Sequence, residues 1–268
     1  MVIRLLPKLN DGENKLFFKT GGEWCYVWTP RGFKKSEKTP IVIHHHGARG
    51  YVRDGGADWL DDPLKMSYLT AIMDEVGCVI AGSHAGGDHW GNQRSVESNY
   101  ALFKALIDDP SIDPKRVGLM GGGLGGALIW NSITGPMANS VKAVAVMQAV
   151  SSLENIIREQ KFRKPLLEAF GLPEMIRDED AIKLVKPYDP LPKLQRLNRG
   201  VKLPKTAIFH GEDDENIPAK THAIPLADAL KSAGGAVTIE VFPGVGHAVY
   251  AMGESIKDRL RKFFSSSL

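Results

Sequence analysis

Between Arg116 and Trp130 an apolar stretch, Val117 to Met120, runs through Gly121-Gly122-Gly123 into a second apolar stretch with helical spacing. A strand that turns through glycines straight into a helix is a β–turn–α unit. Such units build sheets whose helices pack on the faces. The same alternation continues on both sides. Strands are expected over 41–46, 78–83, 117–120, 141–150, 206–210 and 237–242. Helices are expected over 63–76 (ended by Gly77), 95–108, 221–233 and 255–264. Strands alternating with helices imply a mostly parallel central sheet with helices on both faces. Residues 1–40 read as antiparallel. Trp24, Tyr26 and Trp28 alternate there, with turns at Asn10-Asp11-Gly12 and Gly21-Gly22.

One segment breaks the rhythm. Residues 151–203 hold far more than one crossover helix. Two or three short helices are expected at 156–170, 173–185 and 191–199, broken at Gly171, Pro187, Pro190 and Pro192. Such an insertion after a late strand reads as a small helical cap over the carboxyl edge of the sheet. Phe162, Leu166, Leu167, Phe170 and Met175 are expected to pack the cap on the core, with Arg158, Arg163 and Lys164 between them. The chain reads as a single domain, 1–268.

Several function classes are excluded. Net charge is only +3, and no dense Lys/Arg block is interleaved with aromatics, so nucleic acid is not an implied partner. Lys34, Lys35 and Lys38, with Arg158, Lys161, Arg163 and Lys164, read as solvated surface. Two cysteines, Cys25 and Cys78, lie in strand-like runs and read as small core residues. No apolar stretch approaches the ~20 residues of a membrane span. Met1 to Lys8 lacks the apolar length of a signal peptide. A soluble cytoplasmic protein is expected.

Four pieces then fall in order. His44-His45-His46-Gly47-Ala48 ends a strand in a glycine turn. The glycine run around Gly123 follows. Next comes His210-Gly211-Glu212-Asp213-Asp214-Glu215-Asn216-Ile217-Pro218, and then Pro243-Gly244-Val245-Gly246-His247 after a strand. Together these resemble the α/β-hydrolase superfamily of esterases and peptidases, over nearly the whole chain. In that family the order is nucleophile, acid, histidine. The resemblance places Gly123 at the nucleophile position, Asp214 as the acid and His247 as the general base. It also gives the backbone N–H groups of Ala48 and Leu124 to an oxyanion hole. His46 and Trp90 fall to substrate binding, Trp90 as a pocket wall in Gly86-Gly87-Asp88-His89-Trp90. Asp213 and Glu212 compete with Asp214, and the motif spacing favours Asp214.

Glycine at 123 has two consequences. It adopts the strained elbow conformation at little steric cost. It also lacks the Oγ that attacks, so no acyl-enzyme forms. Ser83, Ser151 and Ser152 lie near the same sheet edge but not on an elbow, and read as structural. No carboxylate follows the 141–150 strand before Glu154, which supports Asp214 as the acid.

The residues offer two rival readings. His44, His45 and His46, with His84 and His89, invite a metal. Adjacent strand residues point to opposite faces, so the triplet cannot converge on one ion, and no metal is expected. Gly121, Gly123 and Gly126 satisfy a dinucleotide fingerprint. The acidic residue expected ~20 positions on is absent, so no cofactor is implied.

Three functions stay open. The first is a pseudo-hydrolase that binds a small ester or acyl ligand. The second is a serine ester or peptide hydrolase whose nucleophile was replaced by glycine. The third is a non-catalytic interaction protein on the same fold.

Overall fold

The computed structural model describes residues 6–268. Residues 1–5, part of the segment expected not to be a signal peptide and of the expected antiparallel region, lie outside the described residues. β1 (Lys15–Thr20) and β2 (Glu23–Trp28) form a hairpin about Gly21-Gly22. β3 (Thr39–His45) follows. A small hairpin of β4 (Val52–Arg53) and β5 (Gly56–Ala57) then leads into the single turn α1 (Asp58–Asp61). That hairpin is not evident from the sequence, because two-residue strands carry no periodicity.

α2 (Pro63–Val76) starts and stops where its signals lie. The Asp62 side chain accepts from the backbone N–H groups of Leu64 and Lys65, Pro63 opens the first turn, and Gly77 ends it in the left-handed region. β6 (Val79–Ser83) leads to α3 (Gln93–Ile107), capped by Asn92. β7 (Ile112–Gly123) runs without a break into α4 (Leu124–Ile133), and β8 (Ala143–Ala149) follows.

The 151–203 segment forms four short α-helices: α5 (Leu153–Arg158), α6 (Arg163–Ala169), α7 (Asp178–Val185) and α8 (Pro190–Gln195). The helix expected over 156–170 is split, because the chain turns between α5 and α6 with Gln160 at positive φ. β9 (Lys205–Gly211), α9 (Ala223–Ser232), β10 (Val237–Phe242) and α10 (Glu254–Ser265) complete the chain.

One eight-stranded sheet runs in the order β1-β2-β6-β3-β7-β8-β9-β10. β1, β2 and β6 pair antiparallel, and every pairing from β6 to β10 is parallel. Alternating residues feed two cores. Ile41, Ile43, Val144 and Val146 pack with α3, α4 and α9 on one face. Val42, Ile80, Ala145 and Met147 pack with α2 and α10 on the other. A third cluster joins α5–α7 to Leu124 and Ala127 of α4, which seats the inserted helices over the β7–α4 junction. Leu166 and Leu167 are buried there as expected, whereas Met175 is 93% exposed and packs on nothing. Among the described residues, no helix is long and apolar enough to cross a membrane.

In a parallel sheet, the crevice outside the carboxyl ends of the strands is where ligands bind. His45, Ser83, Gly123, Ala149 and Gly211 all end strands at this one edge.

Candidate active site

Gly123 occupies the junction of β7 and α4 with φ 52° and ψ −131°. Side chains other than glycine pay strain there. Space is not the obstacle. A Cβ built on Gly123 would stand 3.6 Å from Cα of Gly47 and 4.0 Å from N of Ala48, both ordinary contacts. The Gly47-Ala48 turn after β3 therefore faces the point from which a side chain at 123 would project. Leu124 opens α4, and the first amides of a helix have no partner within it. The backbone N–H groups of Ala48 and Leu124 thus flank the elbow.

Asp214 and His247 arrive from two loops. His247 follows β10 and Asp214 follows β9. Their approach requires glycine at 211: a Cβ there would stand 2.2 Å from the carbonyl of Val245 and 2.3 Å from that of Gly246. The loop carrying His247 lies directly on the end of β9 for this reason. Oδ2 of Asp214 is 2.9 Å from Nδ1 of His247. Oδ1 accepts from the backbone N–H groups of Asn216 and Ile217, each at 2.9 Å. Nε2 of His210 donates to the carbonyl of Ile217 at 2.6 Å and also lies 3.4 Å from Oδ2. Burial alone would raise the Asp214 pKa. The donors from His210, His247 and Ile217 outweigh it and hold the carboxyl well below its ordinary range. Asp214 is therefore a buried, fully ionised acceptor that fixes the proton of His247 on Nδ1. In the neutral ring the lone pair then falls on the other nitrogen, Nε2.

Gly123 and His247 line one cavity of about 420 Å³ with Ala48, Leu124, Trp90 and Gln148. Trp90, expected as a wall, is one, and its ring lies 6.0 Å from that of Phe162. Phe162 lines the cavity as well as packing on the cap core. Lys65 and Asp58, which also line it, form an ion pair of 2.7 Å. Sequence reasoning missed Gln148, although a lone polar residue in the apolar run 143–150 was a visible signal.

His46 departs from its expected place. It does not line this cavity. Its ring is buried beside His84 and His89, Nδ1 lies 2.8 Å from the carbonyl of Gly47, and Nε2 lies 2.9 Å from that of His84. The turn after β3 folds back on the ring, so its polar atoms are used in positioning backbone rather than in reaching a ligand.

The remaining histidines also diverge. His44 packs on Trp59 with ring centroids 4.2 Å apart, and Nε2 of His45 bonds Asn99 at 3.0 Å. The three serines are used in structure. Ser83 accepts from the N–H of Ala85, Ser151 donates to the carbonyl of His222, and Ser152 caps α5.

Comparison with known proteins gives a family and a set of folds. The profile of the prolyl oligopeptidase family matches residues 74–265. Among curated proteins none matches. A puromycin-hydrolyzing peptidase of Mycobacterium tuberculosis is similar with TM-score 0.76 and 18% identity, over 98% of this chain and 41% of that one. Oligopeptidase B from Leishmania major gives 0.72 and 13%, over 96% and 37%. Dipeptidyl peptidase 4 of Porphyromonas gingivalis gives 0.70 and 15%, over 97% and 36%. At these identities the likeness is one of fold. The chain spans about two fifths of the length of these solved structures.

Proposed function

The chain belongs to the prolyl oligopeptidase family, with the α/β-hydrolase fold, and on that premise we propose that it is a hydrolase-fold protein retaining an acyl-ligand pocket without its nucleophile. The observation that carries this reading is the Asp214–His247 pair, 2.9 Å apart, in the same cavity as a glycine elbow with room for a side chain.

Each residue has a role in the reading. A serine at 123 would attack an acyl carbon and pass its proton to Nε2 of His247. Asp214 would stabilise the imidazolium. The N–H groups of Ala48 and Leu124 would receive the charge that develops on the carbonyl oxygen, a contribution of roughly 3 kcal/mol for each donor. Glycine removes the attacking oxygen and leaves the rest. Binding and the oxyanion donors alone sustain only ~10³–10⁴-fold over the reaction in water. The ligand is a small ester or acyl compound, in keeping with the peptidases named among the similar structures. A cytoplasmic location is part of the same proposal.

The test compares the chain with Gly123→Ser on p-nitrophenyl esters and the matching p-nitroanilides. The expected result is turnover in the serine variant only. If both proteins are inert although folded, the acid, base and oxyanion donors are not assembled for chemistry. The interaction-protein reading then takes precedence.

A further inference from the structure

Arg49 directly follows the Gly47-Ala48 turn, and its backbone is unusual. Its φ is 61°, in the left-handed region that glycine enters freely and other L residues enter at a cost. Oδ1 of Asp88 accepts from its backbone N–H at 2.6 Å, which ties the turn to the loop that carries Trp90. Glycine or asparagine would suit such a position, yet it holds a long cation. Packing does not account for that choice, because Arg49 is exposed. Nor does an ion pair. Most arginines of the described residues pair with a carboxylate, as Arg94 does with Glu23 and Arg163 with Asp178. The guanidinium of Arg49 has no such partner among the described residues, and Asp88 is engaged by the backbone N–H instead.

Arg49 lines the cavity that holds Gly123 and His247. Two cations, Arg49 and Lys65, and one carboxylate, Asp58, belong to that lining. Asp58 is already engaged, with Oδ1 2.7 Å from Nζ of Lys65. Arg49 is therefore left as uncompensated positive charge on a wall that Trp59, Trp90, Leu124 and Phe162 make largely apolar. A cleft with low-dielectric walls focuses such a charge on whatever it holds. An exposed side chain at the wall is also within reach of a bound molecule. Backbone strain spent on an unpaired cation beside the elbow points to a ligand of opposite charge.

We propose that Arg49 is a ligand-recognition residue for a carboxylate, so that the cavity selects acyl compounds carrying a carboxylate a few bonds from the acyl carbon. The inference rests on the acyl-ligand pocket proposed above and names its ligand class. Ala48 and Arg49 are consecutive, with Cα atoms ~3.8 Å apart. A carbonyl oxygen at the N–H of Ala48 and a carboxylate at the guanidinium of Arg49 therefore fit within one short molecule. The planar fork of arginine donates to both carboxylate oxygens at once, which a lysine in the same place would not do.

The experiment titrates N-benzylsuccinamate and its neutral counterpart N-benzylsuccinamide into the intact chain, Arg49→Gln and Arg49→Lys, at low and at high salt. At low salt the intact chain is expected to bind the anion about tenfold more tightly than the neutral probe. High salt is expected to shrink that preference. Arg49→Gln is expected to bind both probes equally, with its affinity for the neutral one unchanged, and Arg49→Lys to keep part of the preference. Equal binding of the two probes by the intact chain overturns the assignment and leaves the pocket reading standing. So does an Arg49→Gln variant that keeps the full preference. Loss of both probes by Arg49→Gln gives the residue a role in shaping the turn and also overturns it. Binding of neither probe by the intact chain overturns the pocket reading, and this assignment with it.

Discussion

Nδ1 of His247 lies 2.9 Å from Oδ2 of Asp214, across 33 residues of chain. Three local features hold the pair. Gly211 lets the His247 loop rest on the end of β9. The N–H groups of Asn216 and Ile217 fix the carboxylate from one side. His210, buried behind it, approaches from the other. The His247 ring shares its cavity with Gly123, a position that carries no side chain.

Asp214→Asn, made in the Gly123→Ser background, tests the role of the carboxylate. An asparagine can occupy the same space but no longer sets the tautomer or balances an imidazolium. The expected loss in kcat is about 10⁴-fold, with little change in KM. The same substitution reports on stability. The Asp214 pKa is depressed in the folded protein. The unfolded chain therefore takes up the proton first as pH falls. The stabilisation is complete above the ordinary carboxylate pKa of about 4 and is lost below it. Melting curves from pH 6 to pH 3 should show a shallower acid limb in Asp214→Asn.

His222 provides a second acid-sensitive group at higher pH. Its Nδ1 accepts from the N–H groups of Ser151 and Ser152. Burial, with His210 nearby, pushes its pKa down to about 3. The unfolded chain binds a proton near the ordinary pKa of about 6.5, so the contribution is full above that value and falls as pH drops below it. Between pH 6.5 and 5 the loss is on the order of 2 kcal/mol. His222→Asn keeps an acceptor in reach of both amides and cannot charge. It should flatten the melting-temperature profile between pH 7 and 5.

Gly211→Ala probes how the two loops meet. The new Cβ would approach two backbone carbonyls, of Val245 and Gly246, and neither is the end of a flexible side chain. The His247 loop must move. In the Gly123→Ser background the expected result is at least a 10²-fold loss of activity, since misplacement by about 1 Å is that costly. A destabilisation of about 1–3 kcal/mol, read by urea melts, should accompany it.

Gly123→Ser introduces a hydroxyl and strains the elbow. A side chain at φ 52° costs on the order of 1–2 kcal/mol, and the open space around it adds little. The serine variant should therefore melt a few degrees below the parent chain, at ~2–4 °C per kcal/mol for a chain of this size. An unchanged or higher melting temperature would mean that the elbow is not strained in solution.

Much of the site was legible in the sequence because it rests on local chemistry. The glycine run at 121–123 required a turn, and the spacing from His210 to Pro218 marked Asp214. Glycine before His247 marked a loop after a strand. What escaped depended on how the chain folds back on itself. His46 precedes a glycine like a residue at a site edge, yet the turn closes on its ring and its nitrogens meet backbone carbonyls. Gln148 sits in an apolar run, and only the pairing of β7 with β8 reveals the bulge that turns it to the cavity. Phe162 reads as packing and is also cavity wall, a distinction set by how α6 lies over the β7–α4 junction. Met175 has the composition of a core residue and faces solvent.

The most direct test of the central claim is intact-mass measurement after incubation with a fluorophosphonate. Such a reagent requires an activated hydroxyl, a base and oxyanion donors together. The account expects one adduct on Gly123→Ser, none on the parent chain, and none on Gly123→Ser combined with His247→Ala. No adduct on a folded Gly123→Ser variant, or an adduct on the parent chain, would contradict it.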